Sequence, residues 1–285
     1  MTAVRDAARE LRTLAQGVDH PEAVAWWDGA VWCGTEAGQL LRVDPSTGGV
    51  RVAAQTDGFL LGLAFDGAGR CYACDSRNGR VLRIGVDGSV ETLLDEVEGR
   101  RLVTPNFPVF TSDGSLYVSE SGSSWGSDDG YLFRVAADGS AAVVDGDCKR
   151  FPNGLAISAD EQTLFVVESR LPGVVTYSLA GCRVGPRVEL VVMPGTVPDG
   201  LALDSCAGLY VGCWRPDRVY RVCLEDGCTE VFLDDPTAEY MNSPTNICFG
   251  GRGLTRMYVA GLCGWAIKEL DVECGGQGLA HPVGP

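Results

Sequence analysis

The sequence has no apolar run that approaches the roughly 18 residues of a membrane-spanning helix. Its first residues, MTAVRDAARELRTLAQG, alternate charged with apolar side chains, whereas a secretory signal peptide has a continuous apolar stretch. Positive charge is also scarce, since 23 Lys and Arg oppose 38 Asp and Glu and the net charge is −15. Nucleic acids and anionic membranes bind clustered Lys and Arg. We therefore expect a cytoplasmic protein, monomeric or weakly oligomeric, that binds a small molecule and neither of those partners.

Two catalytic patterns are missing as well. No Gly-x-Ser-x-Gly segment occurs, which excludes the nucleophile elbow of a serine hydrolase. Histidine occurs only at His20 and His281. A mechanism based on a histidine pair is therefore not expected, and we interpret His20 as a loop residue rather than a base.

Cysteine is frequent, with twelve residues. The chain is long and has no recognisable signal peptide, so reduced thiols are expected rather than disulfides. Cys71 and Cys74 form a C-x-x-C pattern in a predicted strand, where residues three apart point to opposite faces. That geometry argues against a cysteine-based metal site. Cys223 and Cys228 flank a predicted hairpin turn, and we interpret them as a packed thiol pair.

One unit recurs along the chain and contains only short strand-like segments. Clear copies are Pro152–Ile157 (PNGLAI) and Pro198–Leu203 (PDGLAL), each followed by a second apolar segment. The copies lie 39 to 47 residues apart when they are aligned at residues 22, 61, 106, 153, 199 and 245. A period of about 40–50 residues built from short strands is typical of propeller blades. The sequence predicts an all-β fold, a six-bladed β-propeller with four antiparallel strands per blade, as a single domain over residues 1–285.

Each unit divides into four strands, A to D. In the third unit we predict strands near residues 107–111, 115–119, 131–135 and 141–145. Asp-Gly pairs at 87–88, 138–139 and 226–227 mark the turns between strands C and D. The sixth unit lacks a fourth strand. The segment Glu10–Leu14 resembles the other D strands and is predicted to complete this blade, with a short helix over residues 3–14 as the alternative.

Equivalent positions in the blades are equivalent around the central axis, so the residues just before the A strands are expected to meet at one end of the channel. Two are carboxylates and two are carboxamides, and all four offer oxygen. Hard divalent cations prefer such ligands. We predict one divalent metal ion, with Ca²⁺ expected first and Mn²⁺, Mg²⁺, Zn²⁺ or Fe²⁺ as alternatives. The six positions are Glu22, Leu61, Asn106, Asn153, Asp199 and Thr245.

An alternative exists for these ring positions. Pro-Asn-Gly and Pro-Asp-Gly are also common turn sequences, so each one taken singly is explained as a plain turn. Glu22 has no such explanation, because Ala23 follows it instead of Gly. The coincidence of four oxygen-bearing residues favours the metal site.

The stretch Arg150–Leu179 (RFPNGLAISADEQTLFVVESRLPGVVTYSL) and the later segments PTNICFGG and RMYVAG resemble the gluconolactonase/regucalcin, senescence-marker-protein-like family. The resemblance covers nearly the whole chain. It implies metal-dependent hydrolysis of a sugar lactone or a similar ester. By the same resemblance, Glu22, Asn153 and Asp199 are metal ligands, and Asn106 is a ligand or a substrate contact. Asp199 is the catalytic base or positions the attacking water, and a metal-polarised water is the alternative base.

The sequence departs from that family at two places. The family's Glu-Gly-Pro opening is replaced here by Glu22-Ala23-Val24, and Thr104 replaces an Arg that sugar lactonases place two residues before Asn106. Sugar recognition through such an Arg is therefore not expected. Strictosidine-synthase-like propellers share the fold and work without metal, but the ring of oxygen ligands argues against that assignment.

Loops between strands B and C, and segments leading into strands A, are expected to open on the same face as the ring. Trp125 lies in the long loop Ser119–Gly130 and is predicted to cover the pocket. Ordinary loop packing is the alternative for each such residue. The predicted substrate contacts are Asn106, Trp125, Arg150, Trp214 and Tyr240, with Arg170 and Arg215 nearby.

The sequence thus favours a metal-dependent lactonase or esterase, in which the metal polarises the carbonyl group and water attacks it. Two alternatives remain. One is a related propeller enzyme acting on an organophosphate or on a specialised biosynthetic substrate. The other is a non-catalytic propeller whose metal only braces a binding pocket.

Overall fold

The computed structural model describes residues 7–181 and 183–285, and within them six antiparallel sheets are arranged as the blades of a β-propeller. The all-β prediction and the number of blades are confirmed. In each blade, strand A follows one wall of the central channel and strands B, C and D lie progressively outward. In the third blade, the observed strands differ from the predicted bounds by at most two residues.

The inner strands are rich in Leu, Val, Ile and small residues, and they are buried because both faces of each blade pack against neighbouring blades. Blades 1 to 3 contain β2 (Pro21–Trp27), β3 (Ala30–Thr35), β4 (Gln39–Val43), β5 (Val50–Gln55), β6 (Leu60–Phe65), β7 (Cys71–Asp75), β8 (Arg80–Ile84), β9 (Val90–Leu94), β12 (Pro105–Phe110), β13 (Leu116–Glu120), β14 (Tyr131–Val135) and β15 (Ala141–Asp145). Blades 4 to 6 contain β16 (Pro152–Ile157), β17 (Thr163–Glu168), β18 (Gly173–Ala180), β20 (Val188–Val192), β21 (Val197–Leu203), β22 (Gly208–Arg215), β23 (Asp217–Cys223), β24 (Thr229–Asp234), β25 (Pro244–Gly250), β26 (Arg256–Gly261) and β27 (Ala266–Asp271), with β1 (Arg12–Gln16) completing the sixth.

A few short elements lie outside this plan. They are the hairpin β10 (Glu96–Val97) and β11 (Arg100–Arg101), the strand β19 (Arg183–Val184), and 3₁₀ helices at Ala7–Glu10, Arg252–Leu254 and Leu262–Gly264. In the described part of the chain, no helix has the length and hydropathy needed to cross a membrane.

The last blade is closed by the N-terminal strand, as predicted. Strand β1 pairs antiparallel with β27, with Arg12 opposite Glu269 and Gln16 opposite Ala266. The strand starts two residues later than expected, because Ala7–Glu10 forms a 3₁₀ turn in front of it. The helical alternative for residues 3–14 is therefore wrong beyond that turn, and its residues 3–6 lie outside the described residues.

Every inner strand has a register shift immediately after its first residues. In β12 the shift lies between Pro105 and Pro108, and in β16 it lies between Pro152 and Leu155. The same irregularity recurs in the other four blades. The ring residues are thus not just before strand A, as the sequence predicted, but inside it at a bulge. A bulge redirects side chains locally, which is why bulges are common beside functional sites.

The interpretation of Pro-Asn-Gly and Pro-Asp-Gly as plain turns is wrong, because both segments lie within strands. Their glycines are required by close packing between blades. A Cβ atom on Gly154 would lie 2.5 Å from the carbonyl oxygen of Asp199, and one on Gly200 would lie 2.7 Å from that of Thr245. The absence of a side chain therefore lets successive ring segments touch.

The C-terminal segment crosses the face of the propeller opposite the ring. Gln277 donates its backbone N–H to the carbonyl of Leu203 in blade 5, and the hydroxyl of Tyr72 in blade 2 donates to the carbonyl of Pro285 at 2.7 Å. Beside this segment, the channel contains a mainly apolar cavity of about 130 Å³. The C-terminal segment therefore covers part of the face opposite the ring.

The expectation of reduced cysteines is wrong for one pair. Cys206 and Cys274 form a disulfide that joins the β21–β22 turn to the start of the C-terminal segment. The spacing of 68 residues does not reveal this contact, because it depends on how the last segment crosses blade 5. Cys71 and Cys74 are free and buried in β7, and Cys223 and Cys228 are free at the β23–β24 hairpin.

Candidate functional site

The ring residues meet at the end of the channel where the inner strands begin. The negative charge of Glu22, two blades away, acts on the carboxylate of Asp199. The side chain of Asn153 hydrogen-bonds to the same carboxylate. Thr245 fills the position between these blades and donates its hydroxyl to the backbone carbonyl of Glu22 at 2.9 Å. The structure therefore brings together the oxygen-bearing side chains that the sequence singled out, whereas Leu61 packs in the hydrophobic core cluster of blades 2 and 3.

Two serines determine which way the ring amides face. Ser169 donates its hydroxyl proton to the carbonyl of Pro198 at 2.6 Å, so its oxygen accepts the amide N–H of Asn153 at 3.3 Å. Ser121 does the same in the preceding blade, donating to Pro152 at 2.7 Å and accepting from Asn106 at 3.0 Å. A hydroxyl has one proton, so these contacts assign the nitrogen end of each amide to serine. The two carbonyl oxygens are left for another partner.

The ionised forms of the two ring carboxylates, Glu22 and Asp199, are unfavourable unless a cation is present. Burial raises the pKa of Glu22 to about 7, against a smaller opposing effect of Thr245, and the charge of Glu36 raises it further. Burial also raises the pKa of Asp199 well above its usual range, and the charge of Glu22 adds to this. Two buried carboxylates that repel each other require a positive partner to stay ionised.

The residues present fit a divalent cation. Oε2 of Glu22 is buried and has no hydrogen-bond partner, although buried polar atoms normally have one. It lies in a donor set of two carboxylates and two amides whose oxygens are oriented by serine. Only oxygen is offered, which suits Ca²⁺, Mg²⁺ or Mn²⁺.

Two exposed tryptophans contact residues that lie just before ring positions in opposite blades. Trp125 packs on Phe151, two residues before Asn153, with ring centroids 4.9 Å apart. Trp265 packs edge-on against His20, two residues before Glu22, at 5.2 Å. The supported residues belong to blades 4 and 1, which are three blades apart and therefore face each other across the axis. Both indoles are 47% exposed, so they are available to a molecule entering the pocket.

The other predicted substrate contacts lie on the same face. Arg150 and Tyr240 are held there by backbone hydrogen bonds, and Trp214 by a side-chain contact. Arg150 precedes β16, is exposed, and gives its backbone N–H to Glu168 at 3.1 Å. Trp214, next to last in β22, lies beneath the guanidinium of Arg215, which is 4.8 Å from its ring centroid. The backbone N–H of Tyr240 donates to Asp235 at 2.7 Å.

Arg170 has a different role from the one considered in the sequence. Its guanidinium binds the carbonyl of Ser127 and the carboxylate of Asp128, both at 2.6 Å. Arg170 therefore anchors the Trp125 loop onto blade 4.

Sequence reasoning missed Ser121, Ser169, Trp265 and Asn246. Asn246 lies beside Thr245 in the bulge of β25, and its buried Oδ1 has no hydrogen-bond partner. A signal for the serines was present, because Glu120-Ser121 and Glu168-Ser169 repeat an acidic-Ser pair at the end of strand B. Trp265 carried no such signal, since its contact with His20 joins the two ends of the chain.

The chain matches a known protein family over most of its length. Residues 20–262 match the family described as the SMP-30/gluconolactonase/LRE-like region. The chain belongs to this family. The match begins at His20 and includes all six ring positions, so the resemblance to the gluconolactonase/regucalcin family is confirmed.

Relatives in the SMP-30/gluconolactonase family are moderately distant. The pentonolactonase XacC of Haloferax volcanii is 28% identical over 91% of this chain and 84% of its own length. A gluconolactonase structure from Xanthomonas campestris superimposes with a TM-score of 0.80 at 22% identity, covering 95% of this chain and 93% of that one. A calcium-binding regucalcin structure from Agrobacterium tumefaciens gives 0.80 at 17% identity, covering 96% and 97%. For several other relatives, the match with this chain covers only about half of the relative's length.

The serine contacts predict an effect on metal affinity in this family member. Ser169→Ala removes the acceptor that holds the nitrogen of Asn153, so the amide oxygen loses its fixed orientation. We expect Ca²⁺ affinity, measured by calorimetry, to fall about 10- to 100-fold. Ser169→Thr keeps the hydroxyl and should restore most of the affinity.

A matched control exists in blade 2. Ser76 occupies the equivalent position, but the ring residue there is Leu61, which has no amide to orient. Ser76→Ala should leave Ca²⁺ affinity unchanged. Equal losses in Ser76→Ala and Ser169→Ala would show that the effect comes from general loosening of the blades.

Proposed function

We propose that this protein is a metal-dependent hydrolase that opens a lactone, a cyclic carboxylic ester. The observation that carries the proposal is the buried ring of two carboxylates and two serine-oriented amides, in which Oε2 of Glu22 lacks a partner. Membership of a family that includes a pentonolactonase and gluconolactonases supports this reaction class.

In the proposed mechanism, Glu22, Asn106, Asn153 and Asp199 hold one divalent cation, with Ca²⁺ as the expected ion. Such a cation, when bound, supplies Lewis acidity toward the carbonyl oxygen of the lactone. Asp199 accepts a proton from the water that attacks the carbonyl carbon. The ring C–O bond then breaks, Asp199 returns this proton to the leaving oxygen, and the product is a hydroxy acid.

The surroundings of the ring position the substrate in this proposal. Trp125 and Trp265 line two opposite sides of the entrance and offer flat apolar surfaces to a small cyclic molecule. Asn106 contacts either the cation or the substrate, and Arg150, Trp214 and Tyr240 are proposed contacts further out. The C-terminal segment crosses the opposite face, and we expect substrate to enter and product to leave past the tryptophans.

The experiment is hydrolysis of a panel of aldonolactones followed by pH-stat. The protein is stripped with a chelator and then supplied with Ca²⁺, Mn²⁺, Mg²⁺, Zn²⁺ or Fe²⁺ in turn. We expect the stripped protein to be at least about 100-fold slower, because metal Lewis acidity contributes several kcal/mol to such reactions.

Phosphotriesters are tested in parallel as the alternative substrates. Turnover of phosphotriesters but not of any lactone would replace the proposal by an organophosphate hydrolase. Stoichiometric metal binding without turnover of either class would leave a metal-braced binding propeller.

A further inference from the structure

Several blades repeat a ladder of three side chains on neighbouring strands B, C and D or their equivalents. Each ladder contains one aromatic residue, one arginine and one acidic residue, which are successive partners across the sheet. The ladders are Tyr72, Arg83 and Glu91 in blade 2, Tyr210, Arg221 and Glu230 in blade 5, and Tyr258, Glu269 and Arg12 in blade 6.

The charged members of two ladders form direct ion pairs. Nε of Arg83 lies 2.6 Å from a carboxylate oxygen of Glu91, and Nε of Arg12 lies 3.2 Å from one of Glu269. In blade 5, Arg221 pairs instead with the buried Asp204 at 3.1 Å. The repeated arrangement thus supplies each of these arginines with a negative partner.

Blade 1 departs from this arrangement. Its ladder is Trp32 on β3, Arg42 on β4 and Arg51 on β5, so an arginine occupies the position of the acidic residue. Like charges directly opposite each other across a sheet are destabilising. Among residues 7–181 and 183–285, neither guanidinium has an ion pair or a hydrogen bond with the protein. The chain as a whole is acidic, with a net charge of −15, so this pair of arginines is a local concentration of positive charge.

The two arginines line a groove between blades 1 and 2. The groove has a volume of about 270 Å³, and Trp27 and Trp32 form part of its wall. Both indoles are held against Phe65, Trp27 by stacking at 5.9 Å and Trp32 at 5.1 Å. This part of the wall is therefore aromatic and lies beside the positive charges.

The acidic residues of the groove do not neutralise these charges directly. Asp28 and Asp87 also line it, but neither forms an ion pair with an arginine within the described chain. Asp87 instead accepts hydrogen bonds from the backbone N–H and the hydroxyl of Ser89 at 3.0 and 2.6 Å.

We propose that this groove binds an oxyanion of the phosphate class, either free or carried by a small planar metabolite. Two guanidinium groups present the parallel N–H donors that bind a tetrahedral oxyanion, and they relieve their mutual repulsion by sharing it. The indoles offer stacking surface to a group attached to the phosphate.

The groove is separate from the metal ring. Arg42 lies two strands outward from Ala25, about 10 Å across the sheet. Ala25 itself is three residues along β2 from Glu22, so binding in the groove does not depend on the proposed hydrolysis.

The test is isothermal titration calorimetry of the metal-stripped full chain at low ionic strength, with inorganic phosphate and phenyl phosphate as the probes. Stripping excludes phosphate bound to a metal in the ring. We expect saturable binding of phosphate and about two- to tenfold tighter binding of phenyl phosphate, since its ring stacks on the indoles. Equal affinities for phosphate and phenyl phosphate would show that the groove binds the free anion, with no contribution from stacking on the indoles.

The variants are chosen so that loss of binding is distinguishable from loss of folding. Arg42→Gln should weaken phosphate binding about tenfold or more. Arg51→Glu recreates the Arg–Glu pair of blade 2, so it should abolish binding while the melting temperature is maintained or raised. Arg252→Gln, an exposed arginine on the 3₁₀ helix Arg252–Leu254, is the control and should bind as the wild type does.

Two results would overturn the proposal. One is the absence of saturable phosphate binding to the wild type under these conditions. The other is binding that Arg51→Glu leaves unchanged, which would place the anion elsewhere on the molecule.

Discussion

Replacing Asp199 by Asn is expected to lower kcat for lactone hydrolysis about 10²- to 10⁴-fold while a divalent cation still binds. The amide keeps an oxygen for the cation but cannot accept the proton of the attacking water, and general-base catalysis contributes this much in enzymes. Asp199→Ala removes both functions, so it should lose activity and also weaken metal binding. Initial rates at saturating metal, together with calorimetric metal titrations, measure the two effects separately.

Asp226→Asn is the control for this experiment. Asp226 is an exposed residue at the β23–β24 hairpin, on the face opposite the ring, and its side chain caps the backbone N–H of Cys228. This variant should have wild-type kcat. If Asp199→Asn retained wild-type kcat with metal bound, Asp199 would be a ligand only, and the proton would go to another group.

Replacing Glu22 by Gln is expected to change stability in opposite directions with and without metal. In chelator at pH 8, the wild type has a buried carboxylate at Glu22 whose Oε2 has no partner. Burial raises its folded-state pKa to about 7 from an ordinary value of 4.5, so ionisation costs folding free energy above that pH. Removing the charge should raise the free energy of unfolding by about 1–3 kcal/mol.

With metal present the order should reverse. A ligand at 100 times its dissociation constant stabilises a protein by about 2.7 kcal/mol. Glu22→Gln weakens the metal site, so this variant should lose most of the stabilisation that the bound metal provides. Urea unfolding in chelator and in excess Ca²⁺ measures both quantities, and Glu96→Gln, at an exposed carboxylate, should change neither. A lower stability of Glu22→Gln in chelator would contradict the view that Glu22 is uncompensated without metal.

The blade plan could be predicted because it repeats. Strand alternation, Asp-Gly turns and a period of 39 to 47 residues each carry local information, and six copies reinforce one another. Closure by the N-terminal strand was also predictable, since the sixth unit lacked a strand and only Glu10–Leu14 resembled one. The ring positions followed from rotational equivalence alone.

The remaining features depended on contacts between segments far apart in the chain. The disulfide between Cys206 and Cys274 exists because the last segment crosses blade 5. The pairing of Trp265 with His20 exists because the two ends of the chain meet in adjacent blades. No local pattern records such contacts, so sequence reasoning missed both.

The sequence by itself determined the propeller, its closure and the identity of the oxygen-bearing ring, because periodicity and residue chemistry are local properties. Only the tertiary structure decided that the ring residues lie in bulges, that Ser121 and Ser169 turn the amide oxygens away from themselves, and that Oε2 of Glu22 is left without a hydrogen-bond partner. It also decided that Arg42 and Arg51 line one groove and form no ion pair with the described residues. These features arise where neighbouring blades pack together, and packing between blades brings together residues that no sequence interval relates.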